Sequence, residues 1–153
     1  MKVGIFGQFY HKNSETSIQT LLDILQAKFV DIQVEDNFFT SIDGEKTIHY
    51  NSGDLKTFKE LDKSFDLLIT IGGDGTMLRA ITYVHDLGIP IVGINTGRLG
   101  FLATIPRHKI ENAIDDIINN NYHVSERSLL DIATSPENES LVKMNFALNE
   151  IAV

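Results

Sequence analysis

Residues 65–76 read Phe-Asp-Leu-Leu-Ile-Thr-Ile-Gly-Gly-Asp-Gly-Thr. Phe65 to Ile71 is a nearly continuous apolar run, interrupted by Asp66 and Thr70. Such a run is what a strand covered on both faces requires. Gly72 and Gly73 lack Cβ atoms, so the chain can turn sharply and a ligand can approach the backbone. Gly75 and Thr76 open a helix expected over Gly75–Leu87, with Leu78, Ile81 and Val84 turned inward. The free N–H groups and dipole at the start of that helix favour an anion. Buried strand, glycine turn and helix together place a phosphate-handling turn at the carboxyl edge of an open α/β sheet, where such sheets bind ligands.

The flanking sequence repeats the alternation. Val3–Gly7 reads as a strand. Ser14 can cap a helix whose apolar face is Ile18, Leu21, Leu22, Leu25 and Phe29. Val30–Val34 alternates as a strand does. Asp36–Gly53 is polar and irregular and reads as a surface loop with a short hairpin. Asp54 can cap a short helix carrying Leu55, Phe58 and Leu61. Beyond the glycine turn, Gly88 and Pro90 stop a helix, Ile89–Ile94 is a buried strand, and 95–101 is a glycine-rich loop. Pro106 suits the first turn of a helix with Ile110, Ala113, Ile114, Ile117 and Ile118 on one face. The expected fold is α/β, a parallel sheet with helices on both faces, over residues 1–121. From 122 to 153 two strands, Val124–Thr134 and Leu141–Val153, face each other across Ser135–Asn138. This is expected to be the start of an antiparallel β domain. Ile151–Val153 is still apolar strand, so the 153 residues are expected to be the front part of a longer protein.

Composition narrows the chemistry. Hydrophobic residues make up 42% and charged residues 22% of the chain, values that allow a real core. Cysteine is absent, which excludes disulfides and thiolate chemistry and leaves the cytosol as the default compartment. The formal net charge of −8 repels nucleic acid and anionic membrane on average, so neither is an expected partner. No apolar run reaches the roughly 18 residues of a membrane span. The N-terminal MKVGIFGQFYH has no signal-peptide pattern. The five histidines show no metal-ligand spacing and read as ordinary surface or core residues.

Asp74 is the unusual member of the turn. A carboxylate beside a phosphate is unfavourable unless it takes a proton from a hydroxyl nucleophile or helps to hold Mg²⁺. Both roles belong to phosphoryl transfer. The alternative is a tight structural turn with Asp74 as helix N-cap. No Walker motif is present, and Leu78 stands where a dinucleotide fingerprint needs its third glycine. Two further segments carry polar groups in apolar settings. Gly93-Ile94-Asn95-Thr96-Gly97-Arg98-Leu99-Gly100-Phe101-Leu102 follows the next strand and should lie beside the turn. There Asn95 offers a donor and an acceptor, and Phe101 a ring for stacking. Alternatively this is a structural loop with Leu99 and Phe101 in the core. Asn149-Glu150 interrupts an apolar strand and needs partners if buried; otherwise it is an edge strand with Glu150 in solvent. Arg79, one turn into the helix, can reach a phosphate or simply be solvated.

GGDGT, then NTGRLGFL, then Leu-Asn-Glu in a strand, in this order, resembles the NAD kinases, bacterial ones in particular. The resemblance runs from about Val3 to Val153. It implies transfer of the γ-phosphoryl group of ATP, or polyphosphate in some members, to the 2′-hydroxyl of the adenosine ribose of NAD, giving NADP. Matched to its motifs, Asp74 is the general base, and Gly72, Gly73, Gly75 and Thr76 shape the phosphate site. Asn95 belongs to the loop motif, Phe101 is the aromatic near the adenine, Asn149 and Glu150 bind ribose and adenine, and Arg79 is a weaker nucleotide contact. A divalent cation, usually Mg²⁺, accompanies ATP, and members form dimers or tetramers. Family members are longer, so the substrate site of these 153 residues is expected to be incomplete. GGDGT alone also occurs in diacylglycerol-type lipid kinases. A lipid kinase and a non-catalytic nucleotide-binding module are the competing readings.

Overall fold

In the computed structural model, which describes residues 1–8, 10, 12–45, 47–50, 55–97, 100–131 and 146–148, six strands form one parallel sheet in the order β3-β2-β1-β4-β5-β6. They are β1 (Lys2–Gly7), β2 (Asp31–Glu35), β3 (Leu55–Phe58), β4 (Leu67–Gly72), β5 (Ile91–Asn95) and β6 (Ile105–Pro106). The helices are α1 (Glu15–Ala27), α2 (Asp36–Asp43), α3 (Asp74–Val84) and α4 (Ile110–Ile118). The α/β expectation holds. The sequential order reverses between β1 and β4, so the sheet has its switch point there, and all six carboxyl ends lie along one edge.

Alternation along the central strands divides the interior in two. Val3 and Ile5 of β1 and Leu67, Ile69 and Ile71 of β4 join one cluster with α1, α2 and α4; Phe6 and Leu68 join the other with Phe58, Phe65, Ala80 and Val84. The strand register sets Val3 against Leu67 and Ile5 against Ile69, so equivalent faces coincide. Each fully buried Leu or Ile of this kind contributes about 1.5–3 kcal/mol of transfer free energy.

Several expectations are corrected. Residues 36–43 are a helix, not a loop: the Glu35 carboxylate accepts the Phe38 N–H at 2.9 Å and caps α2, while Phe38 and Ile42 enter the core. Leu55–Phe58 is strand β3, not a helix, paired in parallel with β2. Phe29 lies beyond α1 with a φ of 56° and 97% exposed, not on its buried face. α3 buries Thr76, Ala80 and Val84, one face at i, i+4 spacing, and leaves Leu78 exposed, so its buried face is turned from the expected Leu78–Ile81–Val84 face. Pro106 ends β6 and precedes a 3-10 turn, Arg107–Lys109, before α4 begins.

The backbone divides into two compact units, Met1–Tyr122 and His123–Val153. In the second, β7 (Leu130–Asp131) pairs antiparallel with β8 (Phe146–Ala147). Residues 124–129, expected as strand, have no regular structure. Most of the expected strand 141–153 lies outside the described residues.

Candidate active site

The turn after β4 is built from its glycines. Gly72 has a φ of 156°, and a Cβ there would overlap the Thr76 hydroxyl. Gly72 is therefore tied to the buried Thr76 in the first turn of α3. Gly73 is the N-cap residue of α3, extended at φ −108° and ψ −165°, without a side-chain cap. Its carbonyl accepts the N–H groups of Thr76 at 3.0 Å and Met77 at 3.2 Å. The Cβ directions of Gly73 and Gly75 meet no other atom within 4 Å. These two positions leave bare backbone facing open space, as a phosphate-approach surface needs.

Asp74 is not the N-cap. It is the first residue of α3, and its carboxylate leaves the helix for the loop after β5. Oδ2 accepts the N–H of Phe101 at 2.8 Å; Oδ1 accepts those of Leu102 at 3.0 Å and Ala103 at 2.9 Å. Bonds from Ala103, Phe101 and Leu102, in that order of effect, hold the carboxyl below the usual aspartate range against an opposing desolvation effect. A carboxylate so stabilised stays ionised near neutrality and binds a proton weakly. Its chemistry is that of a fixed hydrogen-bond acceptor rather than a strong base.

Asn95 is nearly fully buried at the end of β5. Its Oδ1 accepts the Gly97 N–H at 2.8 Å and its Nδ2 donates to the Ala103 carbonyl at 3.3 Å, which closes the neck of the loop. Thr96 N–H donates to the Gly72 carbonyl at 3.2 Å, joining that neck to the glycine turn. Asn95 thus acts on the site through the loop. Phe101 is 95% exposed rather than in the core, with its backbone held to Asp74. Arg79 is exposed on α3, one turn from Thr76. The structure therefore brings Gly72, Gly73, Asp74, Gly75, Thr76, Asn95 and Phe101 to one place. Asn149 and Glu150 lie outside the described residues. Among the described residues no group of three or more His, Asp or Glu side chains can hold a metal ion.

The sequence places Gly100 among three loop glycines that permit close backbone approach, without naming Asp74 as what approaches it, and gives no role to Leu102 and Ala103. The last two act through backbone N–H groups, which residue type does not reveal; the second glycine of the loop motif was the available signal. Sequence reasoning missed Glu35, a buried acid at the carboxyl end of β2. Besides capping α2, Glu35 accepts from Asn37 Nδ2 at 2.7 Å and from the Tyr83 hydroxyl at 3.3 Å. Burial first, and then the Glu35 charge, push the Tyr83 phenol up. An acid ending a strand was its signal.

Comparison with known proteins gives this geometry a context. The family model of the ATP-NAD kinase N-terminal domain matches residues 3–122. A curated NAD kinase of Christiangramia forsetii is 45% identical over 153 residues, covering 100% of this chain and 52% of its own length. One from Flavobacterium johnsoniae is 40% identical, also with 52% of its length covered. The chain thus spans about half the length of the curated relatives it matches. Among solved structures, yeast NADH kinase complexed with NADH superposes with a TM-score of 0.70 at 19% identity, covering 90% of this chain and 44% of that one. An NAD kinase from Archaeoglobus fulgidus in complex with ATP gives 0.51 at 18% identity, covering 86% and 40%. At these identities the two structures show a shared fold.

Proposed function

The chain belongs to the NAD kinase family, and from that premise we propose that the intact protein transfers the γ-phosphoryl group of ATP to the 2′-hydroxyl of the adenosine ribose of NAD, forming NADP. The observation that carries this reading is the Asp74 carboxylate, fixed by three backbone N–H groups beside the bare backbone of Gly73 and Gly75. Phosphoryl transfer through a loose transition state asks the protein mainly for positioning and electrostatics. A weakly basic carboxylate is sufficient for it: Asp74 orients the hydroxyl and receives its proton as the oxygen–phosphorus bond forms. Thr76 and the amides of the first turn of α3 face the phosphates, and the exposed ring of Phe101 stacks on the adenine. Solved relatives in complex with NADH and with ATP support the substrate classes. The family match favours this reading over a lipid kinase.

The described residues hold no group of three or more His, Asp or Glu side chains for a metal ion, and Mg²⁺ would accompany the phosphates of ATP, as that ion commonly does. Asn149 and Glu150 would hold the ribose and adenine, and Arg79 a phosphate. Homo-oligomeric assembly as a dimer or tetramer and a cytosolic location complete the proposal. No helix among the described residues is long and apolar enough to cross a membrane. The test is an NADP-specific coupled assay on the purified intact protein with NAD, ATP and Mg²⁺. NADP should accumulate; its absence with both ATP and polyphosphate as donors would remove the kinase reading. Asn149→Ala should raise KM for NAD without unfolding the protein, and an unchanged KM would remove Asn149 from the site.

A further inference from the structure

Asp74 belongs to α3, yet all three hydrogen bonds to its carboxylate come from a single stretch of backbone beyond β5, residues 101–103. A carboxylate offers about four acceptor positions, two on each oxygen. Oδ1 already accepts two N–H groups and Oδ2 accepts one. The loop thus saturates Oδ1 and leaves the spare acceptor position on Oδ2.

So close an approach of backbone to carboxylate has a steric condition, and Gly100 meets it. A Cβ at residue 100 would overlap Oδ1 of Asp74 and lie 2.5 Å from its Cγ and 2.6 Å from its Oδ2. The neighbours that collide are the carboxylate atoms themselves, which three hydrogen bonds prevent from moving aside. Either the loop or the carboxylate would have to shift. The other end of the clamp is fixed as well: Ala103 donates its N–H to Asp74 and accepts from Asn95 Nδ2 through its carbonyl. The last residue of the clamp is thereby anchored to the end of β5.

We propose that Gly100 is a positioning residue: its missing side chain lets the 101–103 backbone clamp the Asp74 carboxylate and present Oδ2, the oxygen with an acceptor position to spare, to the substrate hydroxyl. The kinetic consequence rests on the kinase reading; the clamp itself does not. A misplacement of about 1 Å at a reacting group can cost about 10²-fold in rate.

Two measurements on the intact protein test it. In amide NMR spectra, Asp74→Asn, which keeps the shape of the side chain and weakens its acceptors, should shift the signals of Phe101, Leu102 and Ala103 upfield together. Gly100→Ala should do the same with Asp74 intact. In kinetics, Gly100→Ala should lower kcat about 10²-fold with KM for NAD within about threefold, since positioning and not ground-state binding is lost. Unmoved amide signals in Asp74→Asn would refute the clamp, and unchanged kcat in a folded Gly100→Ala would refute the positioning role. If Gly100→Ala does not fold, the Asp74→Asn spectra decide the clamp and Asn95→Ser, which unties Ala103 at the far end of the clamp without adding a Cβ at residue 100, read for the same kcat-against-KM split, decides whether the clamp positions Asp74. If the wild-type protein makes no NADP, the kinase reading fails, while the amide spectra still decide whether the clamp exists.

Discussion

At the scale of single residues, the Asp74 carboxylate combines strong fixation with low proton affinity. Three N–H bonds hold its folded pKa below the ordinary aspartate value of 3.8. The sign follows from linkage: a depressed folded pKa adds stability that is present above the unfolded pKa and is lost as pH falls through the folded one. Loop and carboxylate should therefore stay joined throughout the neutral and mildly acidic range and separate only below about pH 4. The kcat profile of the intact enzyme should accordingly show no acidic limb from Asp74 above that pH, and a limb near pH 6 that disappears in Asp74→Asn would contradict the clamp geometry. Asp74→Asn itself should lower kcat about 10²-fold or more, the usual contribution of a proton-accepting group, with a smaller effect on NAD affinity. Near-normal turnover would leave Asp74 as a loop anchor only.

At the scale of elements, legibility followed burial pattern. β1, β4 and β5 were read correctly because central strands of a parallel sheet are apolar almost throughout. The spacing of GGDGT and the loop motif then placed Asp74 and Phe101 together, since β4 and β5 are adjacent. β3 misled because Leu55 enters one core cluster and Phe58 the other. Apolar residues three apart on a strand covered on both sides imitate the spacing of a helix. α2 was missed because it is short, begins directly after β2, and is capped by Glu35, a residue type outside the usual N-cap set. Phe29 misled for a different reason. The Val30 N–H bonds to the Leu25 carbonyl at 3.2 Å and that of Phe29 to Gln26 at 3.0 Å, which forms a Schellman C-cap with Phe29 at the left-handed position. That position favours glycine and costs a bulky residue about 1–2 kcal/mol. An almost fully exposed ring recovers little of it by packing. Phe29→Gly should therefore raise stability by about 1 kcal/mol and the Tm by roughly 3 °C for a chain of this size. A thermal melt showing a decrease would mean that the backbone freedom glycine adds to the unfolded chain outweighs the left-handed strain at Phe29.

At the scale of the whole molecule, the packed interior is distributed unequally. Among the described residues, every buried hydrophobic side chain lies between Val3 and Ile117. Residues 122–131 are exposed, and Phe146–Leu148 are half-buried. The boundary of the first compact unit, Tyr122, coincides with the end of the family-model match at residue 122. Both core clusters, all six strands of the parallel sheet, and the Asp74 clamp belong to that first unit. Apolar burial is the main force that favours folding, so the unit that holds both core clusters should set the melting behaviour. A chain ending at Tyr122 should fold, keep its far-UV spectrum, and melt within about 3 °C of residues 1–153, because it retains both core clusters of the described residues. The clamp amides of Phe101, Leu102 and Ala103 should keep their hydrogen-bonded chemical shifts, as each partner is retained. NAD affinity should fall if Asn149 and Glu150 hold the ribose and adenine, so titration of the shortened chain separates folding from binding. A loss of cooperativity, or a drop in Tm far beyond a few degrees, would show that residues 123–153 complete the core of the α/β unit.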